Sequence, residues 1–152
     1  MYSQIFPMRE KEVIRVGPND ALIIRVAVQE ASGSPNDNTL DPSKNAEVTV
    51  QVEAGAAAIG SGMAWQLGVV VKDLVDGATI PFVLSPTTKD SGSLGLAPWT
   101  VETETFVYTI PKANLAPAKG HLCKVYAYLL IGINAAHYEA SFVESSLFLV
   151  LP

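Results

Sequence analysis

The segment AEVTVQVEA, residues 46–54, alternates apolar and polar side chains without interruption. Successive side chains of an extended chain point to opposite faces, so the three valines fall on one face and the polar residues on the other. The same period of two runs through residues 21–31 and 64–74. No stretch of the chain sustains a helical period over three turns. This pattern predicts half-buried β-strands.

Further β-rich runs bring the number of predicted strands to about eight. They occupy residues 12–16, 80–84, 99–110, 124–133 and 137–152. Segments rich in Gly, Pro, Asn and Asp separate them, as is typical of turns. The sequence therefore predicts an all-β fold: a single antiparallel β-sandwich over residues 1–152, either immunoglobulin-like or jelly-roll-like.

Two of these strands interrupt their own alternation. In residues 99–110, Val101 falls on one face while the later apolar residues fall on the other. A β-bulge near Glu104 or Thr105 would reconcile the two halves. We expect a similar break in the last strand at residues 143–146.

Charged residues make up 16% of the chain, against about 25% in an average soluble protein, and 49% of the residues are hydrophobic. This composition fits a small β-rich protein covered by Ser, Thr, Asn and Gln. It also fits a subunit that buries apolar surface by self-association or against other structural proteins of the same assembly. The net charge of -5, with basic residues scattered, argues against nucleic acid and anionic membranes as partners.

The run VYAYLLIGI, residues 125–133, carries no charge and is apolar on both alternating faces. A helix needs about 20 residues to span a membrane, so no membrane insertion is expected of this run. As a strand it would place Val125 and every second residue after it in the core. Tyr126, Tyr128 and Leu130 would then point outward, covered by a partner subunit or by the loop 54–64.

Both ends of the chain are apolar, in MYSQIFPM (residues 1–8) and SSLFLVLP (residues 145–152). We interpret them as arms that dock on a neighbouring subunit, for example by adding a strand to its sheet edge. Phe6, Phe148 and Leu149 are therefore predicted interface residues. The N-terminus has no charged start followed by a long apolar stretch, so we expect no secretory signal and predict synthesis in the cytoplasm.

The segment VYTIPKANLAPAKGHLCKVYAYLLI, residues 107–131, resembles the corner of a fibronectin type III or immunoglobulin-like sandwich. Ile110 would end one strand, Leu115 and Pro117 would form the turn, and Tyr126 or Tyr128 would lie in the next strand. The chain departs from true immunoglobulin domains in having one Cys. Sandwiches without disulfides occur in phage decoration, tail and baseplate proteins, and small apolar ones occur in extracellular filaments. The resemblance implies a structural subunit of a virion or an extracellular assembly.

Trp99 is the candidate for an alternative function, a carbohydrate-binding or adhesion module. It follows Pro98 at the start of a predicted strand, where an aromatic ring can lie at a surface rim and stack on a sugar.

Catalytic and metal-binding motifs are sparse. The chain has no G-x-S-x-G, H-E-x-x-H or phosphate-loop motif, so we expect no enzyme activity and no cofactor. His121 and Cys123 would share one side of a strand and offer half a metal site, with no evident other half. In the polar loop 30–47, Asp37 and Asp41 are calcium candidates, although Asp is equally typical of plain turns. No metal site is therefore predicted.

Overall fold

The computed structural model describes residues 16–33, 38–84, 90–134 and 137–152. The elements in these ranges are β1 (Ala21–Glu30), β2 (Thr39–Leu40), β3 (Ala46–Ala54), α1 (Ala56–Ser61), β4 (Ala64–Asp73), β5 (Val83–Leu84), β6 (Ser91–Ser93), β7 (Thr103–Ile110), α2 (Lys112–Leu115), β8 (Leu122–Asn134), β9 (His137–Glu144) and β10 (Phe148–Val150). A 3-10 turn, Ala116–Ala118, follows α2. Within these ranges no helix is both long enough and apolar enough to cross a membrane.

The strands form two sheets that share one hydrophobic core. The first sheet has the order β1–β3–β7–β5. In the second sheet β8 pairs with β4 on one edge and with β9 and β10 on the other, while β6 extends the β4 side and β2 the β10 side. The two orders match the A-B-E-D and C-F-G sheets of an immunoglobulin-like sandwich. The predicted all-β sandwich is thus confirmed, with immunoglobulin-like strand order.

Alternation along β3 and β8 determines which of their residues fill the core. Every second residue of β3 from Ala46 to Ala54 is buried. On β8 the predicted core residues Val125, Ala127, Leu129 and Ile131 are buried as well. These side chains meet across the sandwich because each strand turns one face of the pleat inward.

The β-bulge predicted near Glu104 or Thr105 is absent. β7 begins at Thr103, beyond the apolar residue whose phase suggested the bulge, and pairs with β3 in unbroken register. A register shift lies instead in β1, between Ile23 and Arg25. Because β1 has apolar residues on both of its faces, the shift does not disturb any pattern that is visible in the sequence.

The break predicted at residues 143–146 is confirmed. Glu144 pairs with Tyr126 of β8, but Phe148 pairs with Cys123, so the last strand holds one extra residue between β9 and β10. Ser145 occupies the break and is buried. The backbone N–H of Val125 donates to Ser145 Oγ at 2.9 Å, and the backbone N–H of Ser145 donates to the carbonyl of Val125 at 2.9 Å.

The C-terminal segment does not extend from the sandwich as an arm, which corrects that prediction. Phe148 and Val150 are buried in the protein's own core. Their strand, β10, pairs with β8 and, in parallel, with β2. The buried side chain of Leu40 anchors β2 and with it part of the polar loop 30–47.

The glycine-rich segment 54–64 forms the short helix α1, which packs against the turn at residues 17–20. The backbone N–H of Ala58 donates to the carbonyl of Pro18 at 2.8 Å. At Gly55 an added Cβ would lie 2.2 Å from the carbonyl oxygen of Gly17, so this approach requires glycine.

We expect Ser145→Ala to lower the free energy of unfolding by about 1–3 kcal/mol, because the buried N–H of Val125 loses its hydroxyl acceptor. In a chain of this size each kcal/mol lowers Tm by about 2–4 °C, which calorimetry resolves. Ser146→Ala is the matched control, because Ser146 is exposed and its backbone carbonyl is retained. Equal Tm values for Ser145→Ala and the unaltered protein would contradict the role of the hydroxyl.

Candidate functional site

The outer face of the second sheet is apolar. Strand register places Val70 of β4 opposite Tyr126 of β8, and Phe142 of β9 opposite Tyr128 of β8. Leu130 continues the same row of β8 and is half-buried. Val70, Tyr126 and Phe142 are 39%, 37% and 75% exposed. We call Val70, Tyr126, Tyr128, Leu130 and Phe142 the outer apolar face.

A glycine on β4 determines how Tyr128 lies in this face. Gly68 is the residue paired with Tyr128, and a Cβ at Gly68 would lie 1.9 Å from Cε2 of the tyrosine ring. The ring therefore lies directly over the backbone of β4, where any side chain would displace it. The glycine thus allows the ring of Tyr128 to cover part of β4.

Charged residues border one end of the outer apolar face. Lys72 and Lys124 are paired across β4 and β8. Lys124 Nζ lies 2.5 Å from Glu144 Oε1, and this hydrogen bond raises the pKa of Lys124. Lys72 Nζ donates to the carbonyl of Gly77 at 2.8 Å. The rim therefore has both signs of charge, with each lysine already engaged within its own chain.

The outer face of the first sheet is more polar, although Val83 of β5 is exposed. β3 turns outward the four polar residues Glu47, Thr49, Gln51 and Glu53. Across from them β7 contributes two threonines and a valine, with Thr109 opposite Glu47, Val107 opposite Thr49 and Thr105 opposite Gln51. This face is suited to water, as expected for the solvent side of an antiparallel sheet.

The predicted covering loop lies elsewhere. Helix α1 is hydrogen-bonded to the turn at residues 17–20, and Gly95 lies close to the carbonyl of Ile59. Among the described residues, α1 thus packs on turns and leaves Tyr126 and Phe142 exposed. The outward orientation predicted for Tyr126, Tyr128 and Leu130 agrees with the structure, and their role as interface residues stays a prediction.

Leu149 lies next to a smaller apolar group at the end of the same sheet. It is half-buried and paired with Leu122 of β8, which is 46% exposed. The backbone N–H of Leu74 donates to the carbonyl of Leu122 at 2.9 Å, and the Leu74 side chain is also exposed. We call Leu74, Leu122 and Leu149 the terminal apolar patch.

Two predicted surface residues are in the core. Phe148 lies on the strand next to β8 and is buried in the core, so it is not an interface residue. Trp99 has no exposed surface and packs with ring centroids 5.6 Å from Trp65 and 6.2 Å from Phe106, so it cannot stack on a sugar. Its place after Pro98 suggested a position at the surface rim, but packing against two aromatic rings buries it instead. Phe6 and Asp37, the other predicted site residues, lie outside the described residues.

Asp41 forms an ordinary polar turn. Its Oδ1 accepts hydrogen bonds from the backbone N–H and the hydroxyl of Ser43, at 2.8 and 2.7 Å. These two bonds lower the pKa of Asp41. Asp41 thus stays only a candidate for calcium, while its bonds to Ser43 are those of a turn in which Asp caps its own backbone.

A polar cluster that the sequence did not predict lies where β4 ends. His121 Nδ1 is 2.6 Å from Oδ2 of Asp73, a carboxylate that is 2% exposed. An ionised carboxylate only accepts, so Nδ1 carries the proton. Burial raises the pKa of Asp73, but bonds from His121 and from the backbone N–H groups of Val75 and Asp76 outweigh it and hold the pKa below its usual value. Asp76 lies beside this pair, and one ligand atom from each of the three residues falls within 4.8 Å of the others.

His121 and Cys123 do not form the half metal site that their spacing offered. Cys123 is buried, and its Sγ lies 3.8 Å from the backbone carbonyl of His121. Burial raises the pKa of the Cys123 thiol to about 12, which disfavours the thiolate that binds metals. His121 instead turns to Asp73, because β4 and β8 pair and bring Asp73 opposite Cys123. The sequence does not show that β4 and β8 pair, so it could not predict the contact between His121 and Asp73.

Comparison with known proteins gives similarities of fold. No family model matches the chain, and no curated protein matches its sequence. The major subunit of aggregative adherence fimbriae type I from Escherichia coli is 11% identical, with a TM-score of 0.49 over 90% of this chain and 99% of that one. The periplasmic chaperone SfaE is 13% identical, with a TM-score of 0.40 over 84% of this chain and 58% of that one. A PapD-like domain of human CEP192 is 12% identical, with a TM-score of 0.38 over 98% of this chain and 92% of that one. Similarities at this level assign no function.

We expect Asp73→Asn to lower the free energy of unfolding at neutral pH by about 1.5–3 kcal/mol, because the charge-assisted bond to His121 is lost. The folded pKa of Asp73 lies below the unfolded one, so its stabilisation is present above about pH 4 and disappears as pH falls through the folded value. Urea unfolding from pH 7 to pH 2 should show the difference between the two proteins shrinking below about pH 4. The exposed Glu102→Gln is the control, and a difference that stays constant with pH would contradict this account.

Proposed function

We propose that this chain is a non-enzymatic structural subunit of a larger assembly, a virion or an extracellular filament. In this assembly, copies of the chain contact one another through the outer apolar face. The observation that carries the proposal is the contrast between the two sheets. The inner strand β3 of the first sheet turns four polar side chains outward, whereas the inner strand β8 of the second sheet turns Tyr126, Tyr128 and Leu130 outward.

The size of the outer apolar face is suited to the centre of an interface. It crosses three strands about 4.8 Å apart and extends over about five residues, so it covers a few hundred Å². Apolar patches of a few hundred Å² on a soluble domain are frequently interaction sites. A stable interface buries about 800 Å² per partner, which the polar rim around this face would supply.

A second copy of the chain is the partner that fits the charges best. The outer apolar face contains no charged residue, so two such faces meet without repulsion or buried charge. At its rim Lys124 is already neutralised by Glu144 of the same chain. The net charge of -5 disfavours an anionic partner such as nucleic acid.

Face-to-face contact is a better mode of assembly than strand exchange. β9 and β10 fill the position beside β8 that an exchanged strand would take. Contact between two identical faces gives a closed pair, so a growing assembly needs another surface. The terminal apolar patch of Leu74, Leu122 and Leu149 is our candidate for that second contact.

Light scattering on the purified protein tests the proposal. We expect an average mass above the 16.2 kDa of one chain at micromolar concentration. Phe142→Asp should shift the mass toward 16.2 kDa, because it places a charge at the most exposed residue of the outer apolar face. Thr105→Asp, which places the same charge on the outer face of the first sheet, should leave the mass unchanged. An unaltered protein that stays monomeric, or a Phe142→Asp variant that associates equally well, would overturn the proposal.

Gly68→Ala is a second and milder test of the same contact. The added methyl group must push the ring of Tyr128 away from β4, which changes the shape of the outer apolar face. We expect self-association to weaken by about tenfold or more, while Tm changes little because the ring of Tyr128 lies outside the core and can move. Sedimentation velocity measures the first quantity and calorimetry the second. Unchanged association would show that Tyr128 lies outside the contact.

A further inference from the structure

We propose that Asp73, Asp76 and His121 bind one first-row transition-metal ion and that the ion ties the end of β4 to the start of β8. The inference is independent of the proposed function. Asp73 ends β4, Asp76 lies in the turn that follows, and His121 directly precedes β8. The three residues thus come from two chain segments that the sheet brings together.

The distances between the three ligand atoms suit a single ion. They lie within 4.8 Å of one another. Ligands about 2.0–2.2 Å from a tetrahedral ion are separated by about 3.3–3.6 Å, so small side-chain rotations suffice. The ion would take the place of the proton on His121 Nδ1, and the neutral imidazole would carry its one proton on Nε2 instead.

The chemical types of the donors select the class of ion. One imidazole nitrogen with two carboxylates suits Zn²⁺ and its first-row neighbours, with water completing the coordination. Ca²⁺ requires six to eight oxygen ligands and Mg²⁺ six in a strict octahedron, which this mixed set of three does not provide.

A cleft beside the two carboxylates provides space for water that would complete the coordination of the ion. Its volume is about 220 Å³, and its lining includes Asp73, Asp76, Thr79 and Asn114. A water molecule occupies about 30 Å³ of liquid, so several fit beside an ion. The side chain of His121 is 27% exposed, which leaves the cluster open to solvent.

One oxygen of each carboxylate accepts a backbone hydrogen bond, which holds the side chain in place. Asp73 Oδ1 accepts from the backbone N–H of Val75 at 2.9 Å, and Asp76 Oδ1 accepts from the backbone N–H of Ala78 at 2.8 Å. Asp73 carries its charge almost fully buried, and His121 is its ion-pair partner among the described residues. A bound cation would compensate both carboxylates at once.

Isothermal titration of untagged protein with ZnCl₂ tests the proposal. We expect one Zn²⁺ per chain, and a rise in Tm of roughly 5 °C or more at hundredfold excess over Kd. Co²⁺ should give the visible absorption of a tetrahedral site. Ca²⁺ and Mg²⁺ should give no heat at the same concentrations.

Asp76→Asn is the decisive variant, because it removes a ligand while keeping Oδ1 as the acceptor for Ala78 and leaving the Asp73–His121 pair intact. We expect its Zn²⁺ affinity to fall at least tenfold with its metal-free Tm unchanged. Asp41→Asn, an exposed aspartate in another turn, is the matched control and should bind Zn²⁺ like the unaltered protein. Absence of Zn²⁺ binding up to millimolar concentration, or equal affinity in Asp76→Asn, would overturn the proposal.

Discussion

The antiparallel pairing of β4 with β8 determines both the outer apolar face and the Asp73–His121 pair. Its register is continuous from Ala64 opposite Gly132 to Asp73 opposite Cys123. A shift by one residue would turn every side chain of a strand to the other face of the sheet. It would expose Val125 and its core neighbours, so the packing of the core holds the register. The register in turn sets Gly68 beneath Tyr128 and brings Asp73 toward His121.

The apolar composition of β8 explains why the outer faces of the two sheets differ in polarity. A strand that is apolar on both faces is typical of a sheet covered on both sides. Within the described residues the core covers one side of β8, and Tyr126 on the other side is exposed. The outer apolar face is therefore one location of the uncharged surface that the low charged fraction of the chain implies. That location is also where a neighbouring copy would replace water.

The sequence predicts orientation well where one strand has one buried face. The valines of β3 and the core residues of β8 follow from alternation alone, and so do the outward positions of Tyr126, Tyr128 and Leu130. The burial of Trp99 does not follow from alternation, because Trp99 packs against Phe106 and against Trp65, which is distant in the chain. The pair of Asp73 and His121 is likewise invisible in the sequence. These residues are 48 positions apart and meet only once β4 and β8 are known to be neighbours.

Hydroxyl-radical footprinting across a dilution series tests the central claim most directly, because it reports the exposure of individual side chains in the assembled protein. The account predicts that oxidation of Phe142 and Tyr126 falls several-fold from the dilute to the concentrated sample. Oxidation of Leu96, which is 66% exposed on a turn between β6 and β7, should stay constant. Equal oxidation of Phe142 at all concentrations, in a sample that light scattering shows to be assembled, would contradict the claim that the outer apolar face is the contact surface.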